Sequence, residues 1–181
     1  MRNRFRPRRP EAWVLQPCEE MEFIVLLPGL LHALGPIAER MVWAVLAVDA
    51  SPWTEDLEVE QAWVGRLDEL EAVIQRVTAP FEIASRVQLF DGIVFGFPGD
   101  CSVEDARRAL ATVDVGELCY LRRIDFMPEI RVPGAVCEFV AFDSTFVHFV
   151  SVDDEVSERM RVAFSGLVPA QEFFERGRST E

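Results

Sequence analysis

Two runs rich in β-branched and aromatic residues, Val136-Cys-Glu-Phe-Val-Ala-Phe142 and Thr145-Phe-Val-His-Phe-Val150, stand on either side of Asp143-Ser144. Such runs with turn-forming residues between them predict a two-stranded hairpin. A two-residue turn sets Phe139 opposite His148, Ala141 opposite Phe146 and Cys137 opposite Val150. Val140 with Val147 and Glu138 with Phe149 then take the other face. Both faces are largely apolar, so the hairpin belongs inside a sheet covered on two sides.

A helix is expected next. Asp153 is its N-cap, Asp154 and Glu155 sit in the first turn where the macrodipole favours anions, and Arg159 and Arg161 lie nearer its C-terminal end. Val156, Met160, Ala163, Phe164 and Leu167 form one apolar stripe at helical spacing, and Gly166 closes the element. Pro169 starts a last short helix through Phe174.

The remaining elements follow from the same rules. Phe23–Leu27 and Val42–Val48 read as buried strands, with Leu30–Arg40 a short helix or irregular connection between them. Thr54 caps the longest helix, whose stripe is Val59, Trp63, Leu67, Leu70, Ile74 and Val77, and Pro80 ends it. Phe81–Phe90 fits either a short helix or a strand. Asp91-Gly92 turns the chain into a strand over Ile93–Phe97. Ser102 caps a helix, with Asp105 completing a capping box and Val103, Ala106, Leu110 and Val113 facing the core. Leu118–Ile124 is a strand, and Pro128 and Pro133 mark the loop before the hairpin.

Strands and helices do not alternate regularly enough for a doubly wound sheet. The expected class is α+β, a mixed or mainly antiparallel sheet with three or four helices packed on it. Residues 1–12, rich in arginine and broken by proline, are expected as a basic disordered tail; residues 13–176 form one α+β domain and 177–181 a polar tail. At 181 residues and 50% hydrophobic, the chain can bury one core without metal or disulfide staples. Phe23–Ala38 is apolar but too short, and too interrupted by Pro28, Gly29, Gly35 and Pro36, to span a bilayer. Glu11, Glu19, Glu20 and Glu22 precede it, which argues against a secretion signal.

Charge narrows the function. The net charge is -13, yet the first ten residues carry five arginines and no acid, which leaves -18 on the rest. That body repels nucleic-acid phosphates and suits a basic protein partner. Every basic residue is arginine, so Schiff-base chemistry, a lysine-bound pyridoxal cofactor and a phosphate-loop lysine are all excluded. Cys18, Cys101, Cys119 and Cys137 form no CxxC pair and have no neighbouring histidine motif, so neither a metal nor a cofactor is expected. Reduced thiols point to the cytoplasm.

Few groups remain that could carry chemistry. In the proposed register Cys137 shares a face with His148, diagonal to it, and Glu138 or Asp143 could orient the pair; a core cysteine and a partly buried histidine account for the same residues. Asp143-Ser144 also suits a tight turn. Gly96-Phe-Pro-Gly99 leads into the Ser102-capped helix, but Asp100, Glu104 and Asp105 there repel phosphate. Glu55, Asp56, Glu58, Glu60, Asp68, Glu69 and Glu71 spread over the polar face of the long helix, which makes them a solvated surface or a partner-binding face. The preferred reading is a non-catalytic protein of immunity, antitoxin or inhibitor type acting on a basic protein, without membrane attachment. The alternative is a small enzyme or ligand-binding domain with its site near Cys137, Asp143 and His148.

Overall fold

A computed structural model describes residues 10–15, 27–52, 73–76, 87–114, 129–142 and 146–178. Seven strands form one sheet: β1 (Glu11–Leu15), β2 (Val42–Pro52), β3 (Val73–Arg76), β4 (Val87–Phe97), β5 (Cys137–Phe142), β6 (Phe146–Ser151) and β7 (Leu167–Pro169). Their order is β3-β2-β4-β5-β6-β1-β7, and every pairing is antiparallel. Five helices are present among the described residues: α1 (Leu27–Leu34), α2 (Pro36–Arg40), α3 (Val103–Leu110), α4 (Asp154–Ala163) and α5 (Ala170–Arg178). The class is α+β, with slightly more helices than the sequence predicts because Gly35-Pro36 splits one expected segment into two. Gly35 has φ +57°, and Pro36 begins α2, where its missing N–H costs nothing.

Alternation along the strands divides the interior into two cores. On one face Trp43, Val45, Val94, Cys137, Phe139, Val147 and Phe149 pack with Leu30, Leu31 and Leu34 of α1, Ile37 of α2, and Val156 and Met160 of α4. The opposite face carries Val42, Ala44, Leu46, Ile93, Phe95, Phe97 and Val140 under Ala106 and Leu110 of α3 and Val132 and Ala135 of the loop before β5. Two-sided coverage explains why the central strands read as continuous apolar runs. Among the described residues no helix is long and apolar enough to cross a membrane.

The caps behave as their residues dictate. Ser102 Oγ accepts the amide of Asp105 at 3.0 Å, and Asp105 returns the bond to the Ser102 amide at 3.3 Å. Asp153 Oδ1 accepts the amides of Glu155 and Val156. The helix it caps ends at Ala163, earlier than its apolar stripe suggests. Leu167 instead opens β7, pairing with Leu15.

Several expected elements are corrected. Leu27 begins α1 and is not the end of a strand, while residues 23–26 lie outside the described residues. Glu11 and Ala12, assigned to the tail from sequence, belong to β1. The long helix cannot run to Val77, because Val73–Arg76 is a strand paired with β2; two adjacent β-branched residues suit it. Asp91-Gly92 is no turn. It lies within the continuous β4, where the β2–β4 ladder shifts register between Ala47 and Asp49 and again between Asp49 and Ala50. Residues 53–72, the strand expected at 118–124 and the Asp143–Thr145 connection lie outside the described residues.

Glycine positions give a test of the packing. A Cβ on Gly96 would fall 2.5 Å from Cys137 Sγ, 2.6 Å from Met41 Cε and 2.9 Å from Trp43 Cζ3, whereas one on Gly29 in α1 meets nothing within 4 Å. Gly96→Ala should therefore destabilise by about 1–3 kcal/mol through overpacking. Gly29→Ala should stabilise by about 0.5–1 kcal/mol through helix propensity. Urea midpoints of the two variants that move in the same direction would contradict this assignment.

Candidate functional site

The hairpin register decides which side chains meet. Its pairs are Cys137 with Ser151, Glu138 with Val150, Phe139 with Phe149, Val140 with His148, Ala141 with Val147 and Phe142 with Phe146. Three residues, not two, therefore connect the strands, and a one-residue slip reverses the face of every side chain on one strand relative to the other. Aromatic packing favours the observed choice: Phe139 and Phe149 stack at 4.8 Å between centroids, tying the two strands across the α1/α4 core.

Cys137 and His148 consequently lie on opposite faces. The dyad considered from sequence is not assembled. Cys137 is fully buried among Met41, Trp43 and Gly96, and burial pushes its thiol far above the ordinary range. A thiol held protonated in this way is a poor nucleophile. Asp143 lies outside the described residues, as do Glu55, Asp56, Glu58, Glu60, Asp68, Glu69 and Glu71.

The groups brought together on the α3 face are Glu138, Arg131 and His148. Glu138 is only 2% exposed, and a carboxylate at that depth needs full compensation. Arg131, in the loop beneath which β5 runs, supplies it. Its backbone amide donates to Glu138 Oε2 at 3.0 Å and its Nε to Oε1 at 2.7 Å, with Nη2 also donating to Oε1. The pair ties the loop to the sheet, and Val132 and Ala135 of that loop are themselves buried. His148 is diagonal to Glu138 on the same face, on the neighbouring strand. It is buried, and its pKa is pushed from the ordinary 6.5 down to about 4, first by desolvation and second by the Arg131 charge. At neutral pH the imidazole is thus uncharged.

This arrangement holds charges rather than deploying them. The Glu138 carboxylate is occupied by donors from its own chain, and the histidine sits beside a cation that opposes its protonation. Among the described residues no group of three or more His, Cys, Asp or Glu side chains is placed to hold a metal ion. Arg131 escaped the sequence analysis. A lone glutamate in a strand apolar on both faces was the available signal, since it demands a cationic partner nearby.

On the described surface several arginines are matched by neighbouring carboxylates. Arg40 pairs with Glu155 at 3.6 Å, Arg107 with Glu104 at 2.9 Å, Arg108 with Asp105, Arg161 with both Glu11 and Glu158, and Arg176 with Glu172. Arg161 also lies 4.9 Å from the Trp13 ring centre, which fastens α4 to β1. Exposed pairs of this kind contribute little stability each.

No family model, no curated protein and no solved structure matches this chain.

Proposed function

We propose that the protein is a non-catalytic binding module of immunity, antitoxin or inhibitor type, which uses an acidic surface to engage and block a basic protein. The observation that carries this reading is the charge: -13 overall, with the five N-terminal arginines set against -18 on the rest of the chain. Such a field steers a cationic partner and disfavours nucleic acid. The separation of Cys137 from His148 weakens the enzymatic alternative, and the burial of His148 removes the accessible imidazole that a site near the hairpin would need. The partner-binding residues in this reading are Glu55, Asp56, Glu58, Glu60, Asp68, Glu69 and Glu71. Cys137 is a free thiol, in keeping with a cytoplasmic setting.

The test is capture of proteins from the source cell on the immobilised full chain, followed by titration of any purified captured protein. A basic protein binding at fixed stoichiometry is expected, with affinity falling at least tenfold between about 50 and 500 mM salt as screening shortens the reach of the field. Failure to recover any stoichiometric partner, or recovery of one whose affinity ignores salt, would contradict the proposal.

A further inference from the structure

We draw no further inference here: the strongest candidate, the Arg131, Glu138 and His148 cluster buried on the α3 face of the sheet, belongs to the site already described, its carboxylate is satisfied from within the chain, and only a pKa shift would turn it into a switch.

Discussion

Arg131→Met should cost about 3–5 kcal/mol of folding stability, because it strands the Glu138 carboxylate in the interior with the amide of residue 131 as its remaining donor from this pair. Glu138→Leu should cost less, since Arg131 is the more exposed partner, with 23% of its side chain accessible, and its guanidinium can turn toward water. The double variant should recover to within about 1–2 kcal/mol of the wild type, as buried pairs replaced by apolar groups of similar volume commonly do. Chemical denaturation of all four proteins gives the coupling directly. Single substitutions whose effects simply add would mean that the two side chains do not depend on one another, and the interpretation of the loop as anchored through Glu138 would fall.

The second large effect concerns pH. Because the folded-state pKa of His148 is depressed to about 4 from 6.5, the unfolded chain binds this proton more readily between those values. Stability attributable to keeping the imidazole neutral is complete above 6.5, declines as pH falls through the interval, and is gone below about 4. The gap of about 2.5 units amounts to about 3 kcal/mol. Asp105 acts in a different range: hydrogen bonds from Ser102, together with Arg108, hold its carboxyl below the ordinary 3.8, so its contribution disappears only at lower pH. His148→Gln should therefore flatten the stability profile between pH 6.5 and 4 whatever its effect at neutrality. Urea midpoints across that interval provide the check. An unchanged slope in the variant would show that the histidine is hydrated in the folded protein.

Much of the architecture was legible because short-range chemistry governs it. Ser102 with Asp105, and Asp153 ahead of two acids, marked their helices correctly, and both strands of the hairpin fell where β-branched and aromatic residues concentrate. What escaped depends on longer-range pairing. Asp91-Gly92 has the chemistry of a tight turn, yet the long β2–β4 ladder accommodates it through register shifts. Val73–Arg76 continues a helical apolar period as readily as it forms a strand; pairing with β2 settles it. Glu11–Leu15 gives no alternation, because Leu15 meets the α1/α4 core while Val14, paired with His148, lies on the other face.

The candidate site failed for a related reason. Phe142 pairs with Phe146 by backbone register, so a connection one residue longer than assumed separates Cys137 from His148 and leaves Glu138 on the histidine's face. No property of Asp143-Ser144 alone distinguishes the two loop lengths. Energetics would have helped: the longer connection aligns Phe139 with Phe149, an aromatic pair worth about 0.5–1.5 kcal/mol beyond its buried area.

In the proposed function carboxylates, and not the thiol or imidazole of the sheet, make the functional contact. The most direct measurement is the affinity of the captured basic protein for two full-length variants. One carries amides at Glu55, Asp56, Glu58, Glu60, Asp68, Glu69 and Glu71; the other combines Cys137→Ala with His148→Gln, both assayed at pH 7 where the fold is verified by circular dichroism. A loss of at least tenfold in the first and less than twofold change in the second is predicted. Retained affinity in the first together with a large loss in the folded second would contradict it.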